Sequence, residues 1–307
     1  MSNVIKKINE EKNVFGDDIA FVYHYDFSQA NNSDETRIEA ITTVASICYD
    51  NPNVIGKENL YNRLKAEAMG LPSSSFEFVP VLISRNRFDD IILLAMEKYS
   101  AGEGGDVEYF TLNIEKYGQW IVEDDVQYLL TNYRALLADH ETLKNTYKYV
   151  DITQIFNELN DAKIIKKHST TFLYKMDLST SKQHNRHRAS LQELSRRYVS
   201  GKKTEFEFYT SDDMKDFKSI AKYQEEDISF GTNDIRDICI NHYFEALANK
   251  VKPQSARRIL PQSMYTTIWT SFLPFQLDNY LALRDDLHAQ DEIRWLAQAM
   301  KRLLGIK

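Results

Sequence analysis

Glycine and proline are scarce in this 307-residue chain, with 10 and 6 copies, so few stretches can serve as linkers or as glycine-rich phosphate loops. The Gly102–Gly105 cluster lacks the Gly-Lys-Ser/Thr that a phosphate loop needs. Only two cysteines occur, Cys48 and Cys239, each between apolar neighbours, and no Cys-x-x-Cys or His-rich spacing is present. These settings predict buried reduced thiols and no metal site. No apolar run approaches the ~20 residues of a membrane span. The N-terminal Met1-Ser2-Asn3-Val4-Ile5-Lys6-Lys7 lacks the apolar core of a signal peptide, and a cytoplasmic location is expected. A basic excess is also missing: the net charge is −7, which argues against nucleic-acid or anionic-membrane partners but leaves room for a local anion site.

The chain has an ordinary globular composition, 43% hydrophobic and 27% charged. Apolar spacing predicts helices over 35–49 and 57–69, and a mostly helical segment from Pro274 to Leu304. Strands are expected at Phe76–Ser84, Thr171–Leu178 and Thr204–Tyr209, and a hairpin from Val107–Leu112 and Gln119–Val122. Helices are expected at Val126–Asp139 and Ile152–Ile164. Ser211–Gln224 reads as a capped helix with Met214, Phe217 and Ala221 inward. Strands and helices without regular alternation predict an α+β fold with a mixed sheet packed against helices.

Chemistry concentrates between Lys182 and Lys203. Seven Lys and Arg stand there against one acid, Glu193, giving a local charge of +6 in an acidic chain. Arginine forks suit phosphate oxygens, Ser195 adds a hydroxyl, and the Gln183 amide offers a donor and an acceptor to a base. On charge alone such a run is equally a solvated face or a subunit contact. The order of its residues says more. Arg186-His187-Arg188, then six residues, then Ser195-Arg196-Arg197-Tyr198 resembles the signature of the flavin-dependent thymidylate synthases, one residue short. Ala256-Arg257-Arg258-Ile259-Leu260-Pro261 and His288-Ala289-Gln290-Asp291-Glu292-Ile293 resemble two later blocks of that family, in the same order. Ala45–Asp50 and Gly70–Phe78 resemble its early helix and turn more weakly.

That resemblance implies one catalytic domain spanning 1–307, interrupted by an insertion at about 85–165. It implies FAD as cofactor, NADPH and methylenetetrahydrofolate as co-substrates, dUMP as substrate and a homotetramer with shared sites. Carried over, Gln183, Glu193, Ser195, Arg197, Arg257 and Arg284 hold the nucleotide, with Arg284 also stabilising charge that develops on the pyrimidine. Ser73, Arg186, His187, Arg188 and Asn279 contact the flavin. Leu71 and Leu273 replace a histidine and an asparagine of the family pattern, and both changes fall on the flavin side. Two alternatives therefore stand beside dUMP methylation. One is methylation or hydroxymethylation of another pyrimidine nucleotide such as dCMP. The other is a non-catalytic nucleotide-binding homologue.

Overall fold

In a computed structural model the described residues are 4–66, 72–98, 112–143, 160–196, 205–223 and 226–306. Ten strands are described: β1 Lys6–Lys12, β2 Phe21–Asp26, β3 Pro80–Ser84, β4 Gln119–Glu123, β5 Val126–Asn132, β6 Thr170–Asp177, β7 Ser190–Glu193, β8 Lys218–Tyr223, β9 Glu226–Gly231 and β10 Tyr265–Phe272. They form a five-stranded sheet ordered β1-β2-β6-β10-β7, a three-stranded sheet β3-β5-β4 and the hairpin β8-β9. The α+β expectation holds. The sheets are not mixed, however: every strand pairing described is antiparallel.

The large sheet is buried on both faces, and strand periodicity assigns the sides. Phe172, Tyr174 and Met176 of β6 and Ile268 and Phe272 of β10 turn toward the helices Pro274–Arg284 and Asp291–Leu304. Leu173 of β6 and Trp269 of β10 turn the other way, toward the helix Asp34–Tyr49 and the three-stranded sheet. Asp34–Tyr49 begins in a capping box: Ser33 Oγ accepts from Thr36 N, and Thr36 Oγ1 accepts from Ser33 N. Asp291–Leu304 has acids in its first turn, bases in its last and a left-handed stop at Gly305, φ 68°. Both helices lie where the sequence places them.

Several expectations fail. The segment 126–139 is strand β5 followed by the helix Tyr133–Leu143. The cause is the Asp124-Asp125 turn, with φ 48° and 62°, which folds β5 back on β4. The pairing partner expected for β4, Val107–Leu112, lies outside the described residues except Leu112. The strand expected over 76–84 is present as β3 at Pro80–Ser84, but it starts late, because Ser74–Phe78 forms a short 3-10 turn ahead of it. Of 204–209 the described part makes one isolated bridge, Phe208 to Met264, and not a full strand. Ser211–Gln224 is a short helix, Asp212–Lys215, running into β8. Phe217 and Met214 are exposed rather than inward, because β8 takes its partners from β9, with Lys222 opposite Asp227. The hairpin β1-β2 was not foreseen. Residues 152–159 of an expected helix lie outside the described set, and the observed helix is Ala162–His168. Cys48 and Cys239 are half-buried and form no disulfide. No described helix is long and apolar enough to cross a membrane.

Candidate functional site

The basic motif begins where β6 ends. Asp177 caps the helix Leu178–His184: its Oδ1 accepts from Ser179 N at 2.8 Å and Thr180 N at 3.2 Å, and its Oδ2 accepts from Thr180 Oγ1 at 2.5 Å. This cap turns Ser181 and His184 inward. His184 is 1% exposed, and its ring meets Tyr280 Oη at 2.9 Å through Nδ1 and Thr270 Oγ1 at 2.8 Å through Nε2. One imidazole thus ties the motif helix to β10 and to the helix Pro274–Arg284. Burial, with the neighbouring His187 and Arg284, brings His184 down to about 3, so it stays neutral and pairs with both hydroxyls.

One turn on, His187 stands edge-on to the Tyr280 ring, centroids 4.6 Å apart. Arg284 Nε donates to His187 Nε2 at 2.6 Å, and Arg284 Nη2 donates to the Gln183 carbonyl at 2.9 Å. An imidazole nitrogen that accepts from a guanidinium must carry its lone pair, which leaves the proton on Nδ1. Burial and the Arg284 charge bring His187 down to about 4, consistent with that tautomer. The structure therefore brings together Gln183, His187 and Arg284, and holds the Arg284 guanidinium by two hydrogen bonds. The Gln183 side chain donates to Gln290 Oε1, and Gln290 Nε2 donates to Glu292 Oε2 at 2.7 Å.

Glu193 lies on β7 opposite Ile268. Its carboxylate accepts from Ser181 Oγ at 3.0 Å and Asn185 Nδ2 at 3.3 Å, which joins it to the helix carrying Gln183. Its carbonyl accepts from the Cys48 thiol at 3.2 Å. Gln192 spans to both upstream segments: Nε2 donates to Cys48 Sγ and Oε1 accepts from Ser74 Oγ, each at 2.6 Å. The weakly matching blocks of the sequence therefore pack directly on the motif strand. Ser73 is buried, with its hydroxyl 3.2 Å from that of Ser75.

Ser195 is half-buried just after β7. Arg196 stacks over Phe206 at 5.1 Å, with Nε and Nη1 buried and unpaired among the described residues. Arg197 lies outside the described residues, as does Leu71. Arg186, Arg188, Arg257 and Asn279 are exposed, and no ion pair holds these three arginines among the described residues. Arg257 sits on the 3-10 turn Arg257–Ile259, and no hydrogen bond among the described residues ties it to Gln183, His187 or Arg284. Leu273 packs beside Leu82, Ile121, Leu130 and Ile165 at the junction with the smaller sheet, an apolar setting for a position that is polar in the family pattern.

Sequence reasoning missed His184, Thr270, Tyr280, Cys48 and Gln192. His184 and Tyr280 left a trace, since each is a polar residue on the inward stripe of its helix. Gln192 left none. A cavity of about 230 Å³ was also unforeseen; Asp177, Tyr209, Arg236, Ser263, Gln290 and Glu292 are among its walls. Among the described residues no His, Cys, Asp or Glu group could hold a metal.

The sequence model of the family described as Thymidylate synthase complementing protein matches residues 109–305, a span that begins inside the segment read as an insertion. A flavin-dependent thymidylate synthase of Aquifex aeolicus is 31% identical over 144 residues, covering 45% of each chain. The enzyme of that name from Thermotoga neapolitana is 33% identical over 140 residues, 45% of this chain and 62% of its own. The matches therefore span about half of these relatives' lengths. Among solved structures, a UMP/dUMP methylase, PolB from Streptomyces cacaoi, bound with 5-Br dUMP, is 24% identical with a TM-score of 0.35, covering 45% of this chain and 65% of that one. With the family match spanning well over half of the sequence, the chain belongs to the thymidylate synthase complementing protein family.

Proposed function

We propose that the protein is a flavin-dependent enzyme that methylates a pyrimidine nucleotide, with dUMP the substrate and dTMP the product. The observation that carries this reading is the Arg284 guanidinium fixed between His187 and the Gln183 carbonyl, in a chain of this family. Nη1 of Arg284 has no hydrogen-bond partner among the described residues. A cation already oriented stabilises negative charge on a pyrimidine ring without reorganising as that charge develops. Gln183 offers the base an amide; Glu193, Ser195, Arg197 and Arg257 complete the nucleotide set, with the arginines on the phosphate.

The flavin side fits by the chemistry of its donors. Arg186 and Arg188 are exposed cations without acidic partners among the described residues, as a dinucleotide diphosphate requires, and Asn279 is exposed one residue before Tyr280. His187, neutral and held by Tyr280 and Arg284, would contact the flavin alongside them. Ser73 is too buried to serve without movement of its turn. Reduced flavin would supply the hydride, NADPH its reduction, and methylenetetrahydrofolate the one-carbon unit. The chain acts as one catalytic domain in a cytoplasmic homotetramer with sites shared between subunits, a reading supported by the exposure of Arg257.

Titrating the protein with FAD while following flavin fluorescence, then assaying methylation of dUMP and dCMP, tests the proposal. Flavin binding with dTMP formation supports it. Turnover of dCMP alone would replace the substrate. Failure to bind flavin would favour a non-catalytic homologue, which the apolar setting of Leu273 also favours.

A further inference from the structure

Resting on the nucleotide-binding reading of Gln183, we infer that Glu292 dictates which way the Gln183 amide faces, and so makes the site select uracil over cytosine. A lone glutamine amide can turn over and serve either base, because its oxygen and nitrogen exchange places at little cost. Here the turn is blocked from a distance. A glutamate carboxylate only accepts hydrogen bonds. Gln290 must therefore aim its nitrogen at Glu292, as it does at 2.7 Å, and this leaves the Gln290 oxygen facing Gln183. An oxygen there admits only a donor. Gln183 accordingly gives Gln290 its Nε2, and its Oε1 is directed away.

The far end of the relay is anchored as well. Glu292 is buried, lines the 230 Å³ cavity and accepts from the Tyr209 phenol, which burial and Glu292 hold above its usual range. Reversing the Gln183 amide would set oxygen against oxygen at Gln290, or would force Gln290 to turn its oxygen on the carboxylate. Either leaves a polar contact repulsive and unpaired. One N–H of Gln183 is spent on Gln290, so the leading atom toward a ligand is the acceptor Oε1. The two bases differ there in the right way. Ring nitrogen 3 carries a hydrogen in uracil and a lone pair in cytosine. Oε1 receives the first and repels the second, while the remaining N–H of Gln183 can reach either carbonyl that flanks nitrogen 3 in uracil.

Calorimetric titration of the full-length protein with dUMP and with dCMP tests this, using the wild type, Glu292→Gln and Gln290→Met. Glu292→Gln keeps the shape but can donate as well as accept, so the relay loses its direction. Gln290 is exposed, so Gln290→Met removes the relay without opening the core. The wild type should prefer dUMP by about 10-fold or more, and both variants should bring the two affinities within about 3-fold of each other. An equal loss for both nucleotides, with the preference intact, would mean that Glu292 is merely structural and would overturn the inference. A wild-type preference for dCMP would overturn it too. A wild type that binds neither nucleotide would instead remove the functional reading on which the inference rests.

Discussion

The two long helices toward the C-terminus bury themselves in opposite ways. Asp291–Leu304 places Ile293, Leu296, Ala297, Ala299 and Met300 against the large sheet, all fully buried. Thr232–Ala248 is longer, yet among its residues only Arg236 and Tyr243 are buried. Its Ile238 is 53% exposed, and Phe217 and Ile220 of the preceding segment are 54% and 70% exposed. The first helix is held by area, the second by particular ties. Arg236 donates to Thr210 Oγ1 at 2.7 Å, and Tyr243 meets Phe206 edge-on at 5.4 Å. The candidate site divides along the same line. Gln183, His187 and Arg284 belong to the well-buried part and are fixed by direct contacts, whereas Arg257 belongs to the other and is exposed.

Leu296→Ala should break the comparison most strongly, costing about 3–5 kcal/mol as lost burial plus cavity, against less than about 0.5 kcal/mol for Ile238→Ala in the isolated chain. Urea denaturation of both variants reads the difference directly. Similar losses would mean that Ile238 is covered.

Protonation gives a second effect, again confined to the well-buried part. The pKa of His184 falls from its ordinary 6.5 to about 3 on folding, first through burial and then through His187 and Arg284. The unfolded chain therefore binds the proton more tightly. The stabilising contribution of neutral His184 is complete above about pH 6.5 and is lost as pH falls from there toward 3, with a slope that favours the folded state as pH rises. Across that window the loss is on the order of 5 kcal/mol. His187, down to about 4, adds to the same trend with less weight, being half-exposed. His184→Asn, measured by denaturant midpoints between pH 7 and 4, should flatten the pH dependence; an unchanged slope would assign it to other groups.

What the sequence disclosed follows the same division. Helices with one apolar stripe and a single buried face, such as Asp34–Tyr49 and Asp291–Leu304, were legible from spacing. β6 was legible because alternation and β-forming residues agree. The segments misread as helices, 126–132 and 218–223, carry apolar residues at intervals that suit either period, and the arbiter was a turn: Asp124-Asp125 in one case, pairing with β9 in the other. At the site, Gln183, His187 and Arg284 were legible as motif residues. Their mutual contacts were not, because Arg284 meets His187 across 97 positions of chain. His184, Tyr280 and Gln192 act through partners on other elements, which no local pattern displays.

Arg284→Ala and Arg257→Ala should separate the two parts kinetically. Arg284 is held by His187 and the Gln183 carbonyl, and if it acts on charge that forms during the reaction, as proposed, its loss should lower kcat by about 10²-fold. Loss of Arg257, which is exposed and on the proposed reading would bear on the phosphate in ground and transition states alike, should raise KM instead, by the equivalent of about 1.5–3 kcal/mol. Steady-state kinetics with dUMP, methylenetetrahydrofolate and NADPH gives both parameters. Small and equal effects would leave these arginines with a structural part only.

The smallest intrinsic effect is the most telling about assembly. Ile220→Ser and Ile238→Ser remove apolar surface that this chain leaves exposed, so each should change the stability of an isolated chain by less than about 0.5 kcal/mol. In a tetramer that covers the surface, mass action adds a further term, and the wild-type melting temperature should rise with protein concentration. The serine variants should lose that rise while keeping the dilute-limit melting temperature, and light scattering should show smaller particles. Their activity should fall with dissociation, because Arg257 follows the same helix in sequence and would lose its place at a shared site. A wild type whose melting temperature is independent of concentration, and which scatters as a monomer with full activity, would dismiss the shared site. Arg257 would then have to reach the nucleotide within its own chain, or play no part in holding it.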